Sequence, residues 1–556
     1  MESLQVSNEL LAVGLIFTVF IIFMYASREP LPLNSSFFKA QPIIGIRKEL
    51  IPLTRAALRS VIHTRQWVFD GYSKHSRSNS FFVLPSIDRG MSLVVPPKQI
   101  KKVYGLPDTI LDVHTTANAT IQTKWTIWDD EVAENNFQMN LVRNQITRNL
   151  DILTPPIAVE LEEGFKRDWG TSTENWKKID VWKSALRVIG GAANSAFCGP
   201  ELCRNMDFIQ RVQAHSICFF LGAIVINSTP WPFKSLSGFT VGWVCYYHLQ
   251  RVSAICLPVV KERLVDTARL REDPTYPWSP PKDGLQWIID ECSATGDPKQ
   301  LKPERVLHRL VYMNDISLHS TSYTAQNVIL DLASADPSII TILREESARV
   351  LKEAGGKWTR QAVTKLRLID STIRESMRMT PFNSIGLPRT VIHPHGITVE
   401  QDKSTMNIPS GTKVMVPVEP IHYDDSVYPD AKAFKPFRFA EPNAIRNILD
   451  SFDAASSEEG TPATKATQQQ QQQQTKQKSG ATIDEAFLGF GFGLHACPGR
   501  FFALNELKIF IATMVLNYDI EPLKTRPKMT PLIWLNVPLF KNFRVNVRRR
   551  RAIELE

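Results

Sequence analysis

The chain has 556 residues, a net charge of +9 and seven cysteines, and 43% of its residues are hydrophobic. Its basic residues are neither gathered on one periodic face nor interleaved with stacking aromatics, which argues against a nucleic-acid-binding module. The cysteines are odd in number, dispersed and free of CxxC pairs, so neither a cysteine zinc site nor a disulfide framework is indicated. A reducing, cytosolic environment fits this cysteine usage best.

The N-terminal region contains an uncharged apolar run over residues 10–26, which is about long enough to cross a bilayer. Arg28 and two prolines follow the run and end the helix. Because no Lys or Arg precedes the run, the positive-inside rule places the body of the protein in the cytosol. We therefore predict a membrane anchor and proline linker over residues 1–36. A cleaved signal peptide is the alternative, although the apolar run is not preceded by the basic region with which a signal peptide begins.

Helical periodicity dominates the remainder of the chain, and short β-prone runs occur only between residues 386 and 418. This pattern predicts a mainly α fold with a small β region. The stretches with apolar residues at helical spacing are 131–167, 303–335, 337–354, 362–380 and 499–517.

Two segments interrupt or follow this helical pattern. Residues 441–482 are polar and include seven consecutive glutamines, so we predict a disordered surface insertion. Four arginines begin at position 548 and predict a solvated basic tail over 548–556, with contact to anionic lipid as an alternative. Residues 37–547 lie between the anchor and this tail and carry the insertion.

A glycine-rich loop near the C-terminal end presents one cysteine, Cys497, immediately before a helical pattern. The loop matches Phe-x-x-Gly-x-His-x-Cys-x-Gly at every specified position. Glycines have no side chain, so they let a flat macrocycle approach the cysteine closely. A thiolate ligand must also be shielded from water. We therefore predict that Cys497 is the axial ligand of a haem iron; a buried free cysteine is the alternative. The predicted loop residues are Phe490, Gly491, Gly493, His495, Cys497 and Gly499.

With this loop the sequence resembles the cytochrome P450 family. The resemblance implies the cytochrome P450 fold, a haem b bound through cysteine thiolate, and a single-pass protein of the endoplasmic reticulum membrane. It also implies monooxygenation, in which dioxygen is split and one oxygen atom enters a hydrophobic substrate. No pyridine-nucleotide or flavin fingerprint occurs in the chain, so the implied electron donor is a separate NADPH-cytochrome P450 reductase, with cytochrome b5 as a further candidate partner.

An acid and a base at helical spacing, Glu375 and Arg378, can pair on one helix face. The pattern alone is uninformative, because Glu346 and Arg349 have the same spacing. The later pair is favoured because Arg389 and the segment Phe434–Phe439 follow it in the chain. By resemblance, Glu375, Arg378 and Arg438 form a buried structural network behind the haem.

Haem propionates need cationic partners when they are buried. Arg389 and His495 match family positions with this role. A third partner usually follows a Trp-x-x-x-Arg pattern, which this chain lacks. Arg143 is our candidate substitute and Arg148 is the alternative, and each could equally be a solvated helix charge.

The long predicted helix 303–335 should cross the distal face of the haem. Members of the family usually carry an acid followed by an alcohol there, and this chain has His319 and Ser320, followed by Thr321. A hydroxyl beside a histidine can relay protons, so we predict a relay with Ser320 as first choice and Thr321 as second. A polar patch in a buried helix is the alternative.

The histidine-bearing helix, the ACPGRFFA loop and residues 141–150 together resemble fungal monooxygenases similar to ent-kaurene oxidase and to enzymes of terpenoid and indole-diterpene biosynthesis. A terpenoid-type substrate is therefore expected, and a polyketide or an acyl chain would also suit an apolar pocket. A haem-thiolate isomerase or dehydratase that needs no dioxygen, and a haem protein that senses gas or carries electrons, are the alternatives from other classes. By resemblance, the pocket is lined from residues 108–125, 210–245, 316–321, 380–387 and around Trp534.

Overall fold

The computed structural model describes residues 35–402, 404–441, 478–536 and 542–551. The predicted membrane helix, residues 10–26, and the glutamine run lie outside these ranges, so both remain predictions.

Helices make up most of the described chain, which confirms the mainly α fold. In chain order they are α1 Ser35–Lys39, α2 Pro52–Lys74, α3 Pro97–Tyr104, α4 His114–Ile121, α5 Thr123–Thr126, α6 Asp130–Glu134, α7 Phe137–Leu141, α8 Leu150–Trp169, α9 Val181–Phe197, α10 Pro200–Cys203, α11 Met206–Ser228, α12 Trp231–Glu272, α13 Gly284–Ala294, α14 Pro303–Ala333, α15 Pro337–Glu353, α16 Arg360–Lys365, α17 Arg367–Met379, α18 Val418–His422 and α19 Arg500–Asn517.

The strands of the described residues form three small sheets. They are β1 Phe82–Ser86, β2 Gly90–Val94, β3 Leu111–Asp112, β4 Lys177–Asp180, β5 Gly386–Val391, β6 Ile397–Gln401, β7 Ser404–Ile408, β8 Lys413–Val416, β9 Tyr518–Ile520 and β10 Arg544–Arg549. The largest sheet has five strands in the order β1-β2-β8-β5-β3. Its β2–β8 pair is parallel, and its other pairs are antiparallel.

Helix α14, 31 residues long, runs through the centre of the main hydrophobic core. It packs against α9, α11, α12, α17 and α19, so its polar residues can reach the interior of the protein. Helix α11 is the described helix with the length and apolar composition to cross a membrane. It packs on α12 and α14.

Both flanks of the predicted insertion are attached to α17. The Phe439 amide donates to Ser371 Oγ at 3.0 Å, and the Gly480 amide donates to Asp370 Oδ2 at 2.6 Å. Arg374 adds hydrogen bonds to the carbonyls of Ser479 and Thr482. Residues 479–482, at the end of the segment predicted as an insertion over about 441–482, therefore belong to the folded domain.

The first residues of the predicted basic tail lie in a sheet. Arg548 and Arg549 belong to β10, which pairs with β4 and β9. Arg550 Nη1 lies 2.8 Å from Asp519 Oδ1, and this carboxylate explains why the arginines stay on the domain surface.

Candidate functional site

The loop before α19 holds Cys497 at its end. The Cys497 amide donates to the Phe490 carbonyl at 2.8 Å, which closes the loop. Gly491 and Gly493 have φ angles of 80° and 71°, a left-handed conformation that disfavours other residues. A Cβ on Gly493 would also lie 2.9 Å from the Tyr104 carbonyl oxygen, so only glycine allows this close contact.

Among the seven cysteines Cys497 alone is exposed, while the others are buried or half-buried. The protein packed around Cys497 still desolvates the thiol and raises its pKa above the ordinary value. The backbone amides of Gly499 and Arg500 and the Arg500 charge act in the opposite direction, because they stabilise a thiolate. A bound metal ion would remove the thiol proton outright. Phe490, at the start of this loop, is buried in the core.

Arg389 is a buried cation that forms no ion pair with the described residues. Its Nη1 donates to the adjacent Pro388 carbonyl at 2.8 Å, and no described carboxylate lies within ion-pair distance. The guanidinium is 5.7 Å from the centre of the Tyr104 ring, and burial lowers its pKa. Because an unpaired buried charge is costly, this arrangement fits a bound anion such as a haem propionate.

His495, the second predicted propionate partner, lies in the same loop and contacts Asp108, with 2.6 Å between Nε2 and Oδ1. Arg143 is exposed and reaches the loop through a 3.4 Å hydrogen bond to the Leu494 carbonyl. Arg148 is exposed and makes no such contact to the described loop. The accessible cysteine and the unpaired cation together fit an iron-bearing macrocycle with acidic side groups.

On the distal helix α14, Ser320 is exposed although most of its neighbours are buried. The hydroxyls of Ser320 and Thr321 both donate to the Ser317 carbonyl, at 3.4 Å and 3.3 Å. Thr321 is buried, whereas Thr324, one turn after Ser320, is half-buried and donates to the Ser320 carbonyl. Thr324 did not stand out in the sequence, although its i+4 spacing from Ser320 places it on the same face.

His319 lies away from this exposed edge. Its ring stacks on Trp182, with 6.1 Å between ring centres, and meets the edge of Phe220. Burial lowers the pKa of His319 to about 4, so the imidazole is neutral at neutral pH. Its Nε2 has no described hydrogen-bond partner. A neutral imidazole can relay a proton by accepting one at its bare ring nitrogen and releasing the proton of the other nitrogen.

The predicted buried network is brought together by the structure. Arg378 binds both oxygens of Glu375, at 2.7 Å and 2.9 Å, and both side chains are fully buried. Arg438 Nε lies 3.0 Å from the same carboxylate. Glu346, which has the same spacing to an arginine, instead accepts hydrogen bonds from three backbone amides at the start of α17.

His422, which the sequence analysis did not single out, connects this network to the cysteine loop. Its Nδ1 donates to the Arg378 carbonyl at 3.2 Å, and its Nε2 accepts from the Leu488 amide at 3.0 Å. Burial lowers the pKa of His422 to about 3, so the ring is neutral and can serve both contacts. Leu488 lies two residues before Phe490, so the network supports the loop from behind.

Comparison with known proteins gives consistent results. The family described as cytochrome P450 matches residues 259–541. Cytochrome P450 monooxygenase okaG of Penicillium ochrochloron is 42% identical over 511 residues, covering 92% of this chain and 94% of that protein. Cytochrome P450 monooxygenase gloP of Glarea lozoyensis is 31% identical and covers 93% and 92%. Cytochrome P450 monooxygenase htyF of Aspergillus rugulosus is 32% identical and covers 94% and 74%. The chain therefore belongs to the cytochrome P450 family and is a cytochrome P450 monooxygenase, with the cysteine-ligated haem that this family implies.

Proposed function

We propose that this monooxygenase binds haem b through Cys497 and inserts oxygen into a hydrophobic, terpenoid-type substrate of fungal secondary metabolism. The observation that carries the assignment of the ligand is the exposed Cys497 at the end of a loop that the Cys497 amide closes on the Phe490 carbonyl. When bound, the haem supplies dioxygen activation, with electrons from NADPH through a reductase and, as a further candidate donor, cytochrome b5.

The residues around the site have distinct roles in this proposal. Cys497 supplies the thiolate, and Arg389 and His495 hold the propionates, with Arg143 at the outer side of the loop. Ser320 Oγ is the atom at which a proton is held on the exposed side of α14.

Apolar side chains beside α14 support a hydrophobic substrate. Ile316, one turn before Ser320, and Phe220 pack against one cluster, and Phe382 and Trp534 pack against a second cluster with Tyr323. Such surroundings exclude water and favour polycyclic or long apolar molecules. The terpenoid class is inferred from the sequence resemblance, and the apolar side chains do not distinguish it from other hydrophobic molecules. Polyketide and acyl substrates are therefore tested alongside terpenoids.

Incubation with NADPH, reductase and ¹⁸O₂ should yield a product that gains one ¹⁸O atom per hydroxylation. The substrate panel contains polycyclic terpenoids, polyketides and fatty acids, and mass spectrometry measures the label. Product that forms without NADPH and without ¹⁸O would instead indicate an isomerase or dehydratase and would overturn the monooxygenase reaction proposed here. Labelling of only the polyketides or fatty acids would overturn the terpenoid class alone.

Ser320→Ala should lower the amount of product formed per NADPH by about 100-fold, the lower end of the roughly 10²–10⁴-fold that a positioned proton donor typically contributes. The reduced, carbon-monoxide-bound spectrum should stay unchanged. Thr321→Ala should have a smaller effect, since that side chain is buried. Ser322→Ala is the matched control: Ser322 lies on the opposite side of the same helix, and its buried hydroxyl has no described partner. Unchanged coupling in Ser320→Ala would remove the relay from the mechanism.

We also propose that the chain is anchored in the endoplasmic reticulum membrane with the catalytic domain in the cytosol. Besides the apolar run at residues 10–26, α12 exposes an apolar stripe at positions i, i+3, i+7 and i+11, formed by Leu236, Phe239, Trp243 and Tyr247. Exposed apolar surface of this kind is typical of lipid contact. Recovery of the expressed chain in the soluble fraction after mild lysis would contradict the anchor.

A further inference from the structure

Two histidines flank one carboxylate where the segment after α3 meets the cysteine loop. Asp108 Oδ1 lies 2.6 Å from His495 Nε2, and Asp108 Oδ2 lies 3.6 Å from His114 Nε2. One possible ligand atom from each of the three residues lies within 4.8 Å of the others. The described residues place no Lys or Arg within ion-pair distance of Asp108, so its two contacts to charged or chargeable groups are both imidazoles.

We propose that Asp108, His114 and His495 form a binding site for one divalent transition-metal ion of the Zn²⁺ class. Two imidazole nitrogens and a carboxylate oxygen are ligands that Zn²⁺ prefers, whereas Ca²⁺ and Mg²⁺ prefer oxygen alone. Ligands around a tetrahedral Zn²⁺ lie about 3.3 Å apart, as its 2.0–2.1 Å bonds require. Small side-chain rotations would bring the three atoms to this spacing.

The backbone around the site is held in place, while the side chains stay accessible. Contact between Gly493 and the Tyr104 carbonyl fixes the cysteine loop against the segment that leads to Asp108. The side chains of Asp108, His114 and His495 are 42%, 62% and 30% exposed, so an ion can reach them from solvent.

Binding of the ion is compatible with the proposed haem contact. The Nε2 atom of His495 faces Asp108, which leaves Nδ1 for a propionate. A metal-bound histidine commonly donates its other N–H to a carboxylate, which fixes the ring orientation. The ion would join the segment around α4 to the cysteine loop, with three protein ligands and a fourth position for water.

Titration of the purified full-length holoprotein with ZnCl₂ in a calorimeter should show one micromolar site, and CaCl₂ should give no binding heat. His114→Ala and Asp108→Asn should each weaken Zn²⁺ binding at least tenfold. His395→Ala is the matched control, because His393 and His395 form another histidine pair with rings 5.7 Å apart, close to the 5.6 Å between His114 and His495. This variant should bind Zn²⁺ like the wild type.

Wild-type protein that binds no Zn²⁺ up to millimolar concentration, or His114→Ala protein that binds it as tightly as the wild type, would overturn the metal site. The reduced, carbon-monoxide-bound spectrum of the same samples reports separately on the haem. Zn²⁺ binding without a thiolate haem band would therefore contradict the proposed cofactor ligand and leave the metal site unaffected. A thiolate haem band without Zn²⁺ binding would overturn the metal site and leave the cofactor ligand unaffected.

Discussion

Replacing Cys497 with alanine is expected to abolish the red-shifted Soret band that a thiolate-bound haem shows when reduced and treated with carbon monoxide. Alanine offers no ligand atom. The six other cysteines are buried or half-buried elsewhere, and burial raises the pKa of each of their thiols. None of them can replace the lost thiolate, so the expected loss is complete.

Cys218→Ala is the matched control for this experiment. Cys218 is half-buried on α11, far along the chain from the loop, and its substitution should leave the band intact. Membranes that contain equal amounts of wild-type and variant protein give the comparison. A normal thiolate band in Cys497→Ala would show that another residue holds the iron.

Replacing Glu375 with alanine should prevent accumulation of the haem-loaded protein. The carboxylate is fully buried and neutralises two arginines, Arg378 and Arg438. Removing one partner of a buried ion pair typically costs about 3–5 kcal/mol, which is a large part of the stability of a folded domain. The ratio of bound haem to protein and the resistance to limited proteolysis measure the effect.

Arg349→Ala provides the control, since it belongs to the other Glu-x-x-Arg pattern. Arg349 is exposed and pairs with Glu353 at 3.2 Å, a contact worth little in water. Its substitution should change neither haem content nor proteolysis. If Glu375→Ala bound haem at the wild-type ratio with unchanged stability, the buried network would have no supporting role.

The cysteine loop could be predicted from the sequence because its geometry requires particular residue types. Positive φ angles and a close backbone contact demand glycine at positions 491 and 493, and the ligand must be a cysteine. The long helix α14 was equally clear, because its apolar spacing continues over 31 residues.

The Glu-x-x-Arg patterns show what spacing cannot decide. Glu346 and Glu375 are both buried acids on helices, yet one caps α17 and the other neutralises arginines. The difference depends on what each helix packs against, and the family resemblance supplied that information where periodicity could not.

Contacts between segments that are far apart in the chain could not be predicted from the sequence. Asp108 and His495 are 387 positions apart, and no local pattern connects them. Arg143 and Arg148 could not be ranked, because a π-helical turn over Val142–Ile146 changes the angular relation between them. The structure separates the two arginines, since Arg143 alone reaches the described loop.

The attachment of residues 439 and 480 to α17 also bears on how the sequence can change over time. Both flanks of the glutamine-rich segment are anchored through adjacent residues, Ser371 and Asp370, on the same helix. The free energy of closing a loop rises only by about 0.6 kcal/mol for each doubling of its length. Repeat expansion or contraction within the glutamine run, a frequent kind of replication error, should therefore be nearly neutral for the enzyme, and natural isolates should differ more in glutamine number than in the residues at either anchor.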